Sequence, residues 1–125
     1  MVNRYFNDLR EVPYEMASSQ IYSTVERRIG TWVDGKPLYE ITMLPPSGTG
    51  SANTWIDLGT VGLGANTVDS VIKLFGAYTY NSEYFGCPNN RSMLDYVKTN
   101  DKMWYYNTGT NPPYPYFITM QYTKA

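Results

Sequence analysis

The chain has 125 residues and a mass of 14.3 kDa, enough for one domain with a single core and too little for a two-domain enzyme. Ten Lys plus Arg against eleven Asp plus Glu leave a net charge of −1 and a pI near 5.3, which argues against nucleic acid and anionic membrane as partners. Histidine is absent, which removes the commonest general base and zinc ligand, while thirteen Tyr, ten Gly and eight Pro beside only 17% charged residues make a composition of strand and turn formers.

Residues 1–20 mix charge (Arg4, Asp8, Arg10, Glu11, Glu15) with apolar positions that sustain neither a helical nor a strand period. They read as an N-terminal arm, leaving a β domain over 21–125. Tyr5, Phe6, Leu9, Val12, Tyr14 and Met16 are too many for a pure spacer, so the arm is expected to order on a partner. The start lacks the apolar stretch of a secretory signal, and no run approaches the roughly 18–20 apolar residues that span a bilayer. A soluble chain is expected.

From Tyr22 onward strands dominate. Asp34-Gly35 between Ile29–Val33 and Lys36–Leu44 predicts a two-residue hairpin turn. That register sets Trp32 opposite Pro37, Gly30 opposite Tyr39 and Arg28 opposite Ile41, and buries Trp32, Pro37, Tyr39, Ile41 and Met43 on one face. After a Pro/Gly/Ser loop over 45–53, a short strand is predicted at 54–58 and a turn-rich stretch at 59–66. The Val68, Val71, Ile72, Phe75 spacing in 67–80 fits a helix, but the β-branched content and Gly76 favour a strand. A loop is expected over 81–90, strands at 92–97 and 102–106, an exposed turn at 107–115, and a final strand at 116–123. In that strand Tyr116, Ile118, Met120 and Tyr122 alternate with Phe117, Thr119, Gln121 and Thr123, which predicts a half-buried strand. Short strands joined by Gly/Pro/Asn turns predict an all-β antiparallel sandwich of jelly-roll-like type.

Catalytic and ligand motifs are sparse. Cys87 has no partner for an intrachain disulfide and no histidine to activate it, so it reads as a buried apolar residue. Gly59-Thr60-Val61-Gly62-Leu63-Gly64 lacks the ending of a phosphate loop and reads as a flexible surface loop. Asp57, Asp69, Glu83, Asp95 and Asp101 are too scattered in sequence to single out a glycosidase pair. Asn89, Asn90, Asp95 and Asp101 do not form a calcium loop and read as solvated turn residues. No catalytic residue, metal or cofactor is expected. Only Asp57, Asp69, Lys73 and Glu83 carry charge between Ile41 and Asn90, which favours a covered interface and an oligomer. Trp104, Tyr105, Tyr106, Tyr114 and Tyr116 suit sugar or protein surfaces, half of them being needed for the core.

Residues 22–39 (Tyr-Ser-Thr-Val-Glu-Arg-Arg-Ile-Gly-Thr-Trp-Val-Asp-Gly-Lys-Pro-Leu-Tyr) resemble a segment that opens the small C-terminal β domain of tailed-bacteriophage appendage proteins. Residues 66–76 are similar to the central stretch of that domain, and 117–124 to its closing strand. The resemblance implies a virion structural or host-recognition module without catalytic residues, commonly multimeric, in a fibre, baseplate, tail tip or head fibre. The expectation is a non-enzymatic homotrimer in the virion, assembled in the host cytoplasm. Other virion proteins would be bound through the arm, and host-surface glycan is a further partner. Tyr5, Phe6, Tyr14, Trp104, Tyr106 and Tyr114 are the candidate contacts. The alternatives are a carbohydrate-binding module of a secreted enzyme and, more remotely, a small glycan hydrolase.

Overall fold

The computed structural model describes residues 22–125, so the arm expected over 1–20 lies outside the described residues. Among the described residues eight strands form and no helix does: β1 (Arg27–Thr31), β2 (Pro37–Met43), β3 (Ile56–Thr60), β4 (Val68–Tyr80), β5 (Glu83–Cys87), β6 (Ser92–Val97), β7 (Lys102–Asn107) and β8 (Phe117–Lys124). They make a five-stranded sheet in the order β1-β2-β8-β4-β5 and a three-stranded sheet in the order β3-β7-β6. Every neighbouring pair is antiparallel. The predicted all-β antiparallel sandwich is therefore the fold. Between the sheets Ile41, Val68, Tyr78, Cys87, Ile118, Met120 and Tyr122 meet Leu58, Met103 and Tyr105 of the small sheet. Each such side chain contributes on the order of 1.5–3 kcal/mol by leaving water.

The long fourth strand explains why its sequence looks helical. Val68, Val71 and Leu74 pair with Lys124, Tyr122 and Met120, all on the core side of β8, although they are three residues apart. A bulge sits in each interval, between Val68 and Ser70 and between Val71 and Lys73, and adds one residue to the period of two. From Leu74 the ordinary alternation resumes through Gly76 and Tyr78. Gly76 has no room for a side chain, because a Cβ there would strike the Phe117 carbonyl oxygen on β8.

Several expectations are corrected. The first hairpin turns through three residues, Val33, Asp34 and Gly35, closed by Gly35 N–H donating to Trp32 O at 2.9 Å and Trp32 N–H to Lys36 O at 2.8 Å. Gly35 adopts φ +88° as the bulge residue, and Asp34 Oδ1 accepts from Lys36 N–H at 2.9 Å. The register slips by one, so Thr31 faces Pro37, Gly30 faces Leu38 and, beyond a bulge, Arg28 faces Tyr39. Trp32 is left half-buried at the turn instead of in the core. The segment 81–90 is not all loop. Asn81 (φ +52°) and Ser82 (φ +66°) form a two-residue turn that starts β5, with Tyr80 opposite Glu83. Strand β8 is buried on both faces, because it lies in the middle of its sheet: Thr119 and Thr123 are as inaccessible as Ile118 and Met120. Tyr116 precedes it and is 52% exposed.

The two long loops are also better held than the sequence suggests. Segment 45–53 pairs with 107–115 through Gly50 N–H to Pro112 O, Tyr114 N–H to Gly48 O and Asn53 N–H to Asn107 O, at 2.8–3.0 Å. The turn expected to be exposed therefore buries Asn107, Pro112 and Pro115. The glycine-rich stretch after β3 is pinned by Asp101. Its Oδ2 accepts from the backbone N–H groups of Gly62, Leu63 and Gly64 at 2.9, 2.9 and 3.0 Å, and its Oδ1 accepts from the Tyr96 hydroxyl at 2.6 Å. Burial alone would push this carboxyl up, but the Tyr96 hydroxyl and the three amides outweigh it and hold it below its ordinary value. Asp101 is thus a buried anchor, not a solvated turn residue.

Candidate functional site

Alternation along β7 sorts the aromatic cluster of the sequence. Tyr105 points inward and is fully buried, its hydroxyl accepting from Asn107 Nδ2 at 2.7 Å, while burial pushes its ionisation up. Trp104 and Tyr106 take the opposite, solvent-facing side of the small sheet. Asp57 on β3 and Asp95 on β6 stand directly across from Trp104, and Met93 stands across from Tyr106. Trp55, two residues before Asp57, joins the same face with its ring 5.2 Å from that of Tyr106. The Tyr106 hydroxyl reaches Asn53 Oδ1 at 3.4 Å.

The result is a surface of two indoles and a phenol ring, the Trp55 and Tyr106 rings tilted 48° to one another, edged by carboxylates and an amide. Asp57 is occupied, with Lys102 Nζ 2.7 Å from its Oδ2 and Gly59 N–H donating to Oδ1 at 2.8 Å. Those two donors, Lys102 first, hold its carboxyl below the ordinary value. A general acid needs the opposite shift. The Asp95 carboxylate has no hydrogen-bond or ion-pair partner among the described residues. Rings that offer C–H-binding faces beside carboxylate and amide acceptors can bind the stacked face and the hydroxyls of a sugar.

The six predicted contact residues divide three ways. Trp104 and Tyr106 share the platform. Tyr114 lies elsewhere, its ring against the backbone of Gly48 and Gly50, beside a groove of about 300 Å³ lined by prolines of both stapled loops. Tyr5, Phe6 and Tyr14 fall outside the described residues. Trp55 is not among the six: its spacing puts it on one side with Asp57, but only the pairing of β3 with β7 brings that side to Trp104 and Tyr106.

A second exposed aromatic surface crosses the outer side of the large sheet. Tyr22, Phe75, Phe117, Tyr116 and Tyr84 follow one another with successive ring centroids 6.4, 6.2, 5.3 and 6.3 Å apart. Tyr22 and Tyr84 are 65% and 75% exposed, and Leu44 beside this face is 64% exposed. Leu44, Phe75 and Tyr84 belong to the charge-poor stretch. Behind the rings, polar side chains knit the strands: Thr42 and Thr119 share a hydroxyl hydrogen bond of 2.8 Å, and Gln121 Nε2 donates to Glu40 Oε2 at 2.9 Å.

Among the described residues no group of three or more Cys, Asp or Glu is placed to hold a metal ion. No protein-family model, curated protein or solved structure matches the chain.

Proposed function

We propose that the domain is a non-enzymatic recognition module of a tailed-bacteriophage virion, part of a fibre, tail tip or decoration protein. It presents the small-sheet platform to host-surface glycan and the aromatic outer face of the large sheet to virion chains, among them further copies of itself in a homotrimer. The observation that carries the binding role is Trp55, Trp104 and Tyr106 together on the solvent face of the small sheet. The virion assignment rests on the resemblance alone.

Binding of host-surface polysaccharide fragments by the intact chain, together with immuno-electron microscopy of phage particles, tests the reading. Saccharide binding that weakens about tenfold or more in Trp104→Ala, on a chain found in the particle, is the expected result. Saccharide binding with no particle association would favour the detached carbohydrate-binding module. Light scattering reports the trimer, and a folded monomer near 14.3 kDa would refute it. Polysaccharide turnover abolished by Asp57→Asn or Asp95→Asn would refute the non-enzymatic assignment.

A further inference from the structure

An open cleft of about 460 Å³ lies between the tip of the β4–β5 hairpin and the turn that leads into β6, lined by Tyr80, Asn81, Glu83, Phe85, Asn89, Asn90 and Arg91. This size lies within the range of small-ligand sites. The two aromatic side chains are fixed. Phe85 stacks on Tyr78 with centroids 5.5 Å apart, and the Tyr80 hydroxyl donates to Thr110 O at 3.2 Å. One wall is rigid as well, because Asn89 spends its whole amide on the fold. Its Nδ2 donates to Gly86 O and Tyr78 OH at 2.9 and 3.1 Å, and its Oδ1 accepts from Arg91 N–H and Ser92 Oγ at 2.8 and 2.9 Å.

The remaining polar side chains are treated differently. Arg91 and Glu83 have opposite charge and line the same cleft, yet among the described residues neither makes an ion pair or a side-chain hydrogen bond. The amides of Asn81 and Asn90 are likewise uncommitted among the described residues. Held apart on two preformed walls, these groups offer donors (Arg91, both amides) and acceptors (Glu83, both amides) around an aromatic floor, with no net charge. A hydroxyl group both donates and accepts, and a pyranose ring carries several of them around an apolar C–H face. A recess of about 20 Å³ that shares Tyr80, Phe85 and Arg91 with the cleft has room for one water or hydroxyl group.

We propose that this cleft is a second saccharide site, separate from the small-sheet platform, that takes the end of a neutral oligosaccharide. The proposal rests on the reading of the domain as a glycan-recognition module. With Arg91 and Glu83 of opposite charge on the same cleft, no net charge is present to select an acidic sugar, which favours a neutral one.

The test is a nuclear magnetic resonance titration of the intact, isotope-labelled chain with N-acetylglucosamine oligomers, lactose and cellobiose as neutral probes. Sialyllactose and digalacturonate are the acidic ones. Amide shifts confined to Asn81–Phe85 and Asn89–Arg91 with a neutral probe are expected. They should weaken about tenfold or more in Arg91→Ala and in Glu83→Gln, whose exposed positions leave the melting temperature unchanged, and persist in Trp104→Ala. Neutral-sugar shifts on the platform alone, lost in Trp104→Ala, would overturn the second site and leave the glycan reading standing. Cleft shifts only with acidic probes would overturn the assigned class. No shift with any probe at millimolar concentration would overturn both the site and the glycan reading.

Discussion

Replacing Asp101 by Ala removes the one carboxylate that collects three consecutive backbone N–H groups and a tyrosine hydroxyl. Each hydrogen bond to a charged acceptor is worth about 1.5–3 kcal/mol when its partner is left behind, but three donors on a single oxygen are not independent and water can reach part of the loop. Asp101 also sits at φ +58°, where Ala costs about 1 kcal/mol more than Asp or Asn. The expected loss in Asp101→Ala is about 3–5 kcal/mol, a large share of the stability of a domain this size. Asp101→Asn keeps an acceptor oxygen and tolerates the backbone conformation, so about 1–2 kcal/mol is expected. Urea denaturation followed by tryptophan fluorescence at pH 7 measures both, and hydrogen exchange at Gly62–Gly64 localises the effect. Because the folded-state carboxyl titrates below its ordinary 3.8, the unfolded chain binds that proton more readily. Its contribution is full above about pH 4 and is lost as pH falls through the folded value, so the gap to Asp101→Asn should narrow in acid. Two variants within about 0.5 kcal/mol of wild type, or Ala no worse than Asn, would refute the anchoring role.

Gly76→Ala should cost about 1–3 kcal/mol or more, read from the denaturation midpoint, since its Cβ is driven into the β8 backbone at the middle of the large sheet. Gly35→Val should cost on the order of 1–2 kcal/mol through the positive φ at the turn, whereas Trp32→Ala, half-buried beside it, should lose less than the roughly 3–5 kcal/mol of a core Trp truncation. A Trp32→Ala loss of about 3–5 kcal/mol would instead place the ring in the core, as the two-residue turn requires. Burial pushes the Cys87 thiol up, with Ser92 partly opposing, so the native chain should resist iodoacetamide at pH 8 and react once unfolded; rapid native labelling would contradict the core placement.

Strand content was readable where residue types alternate over several positions: in β7 because only one face is buried, and in β8 because one buried face is apolar while the other carries Thr and Gln. It failed where backbone geometry changes the count. The bulges of β4 turn steps of two into steps of three, and Gly35 as a bulge residue shifts the first hairpin by one place. Strand β5 was hidden because Asn81-Ser82 makes its tight turn without the glycine that usually announces one. For the platform, Trp104 and Tyr106 were legible from their i, i+2 spacing. Trp55 was not, since nothing local says that β3 pairs with β7 across some 47 residues. The hairpin-tip cleft joins residues within one short stretch that read as plain loop. Its walls exist only because β5 pairs back on β4 and Asn89 folds the following turn.

The most interior strand of the large sheet is also the last of the eight to be synthesised. Until residues 117–124 leave the ribosome, β2 and β4 have no shared neighbour, and the hairpins β1–β2 and β4–β5 exist as separate ribbons with their inner edges bare. The domain therefore cannot assemble progressively from its N-terminal end. It must hold seven strands in waiting and close in one late step that joins segments about 80 and 50 residues apart. A ribosome stalled before residue 117 would present two edges able to pair with any other nascent copy. Where many copies are made at once, the timing of that final strand becomes a control point between a finished domain and an aggregate.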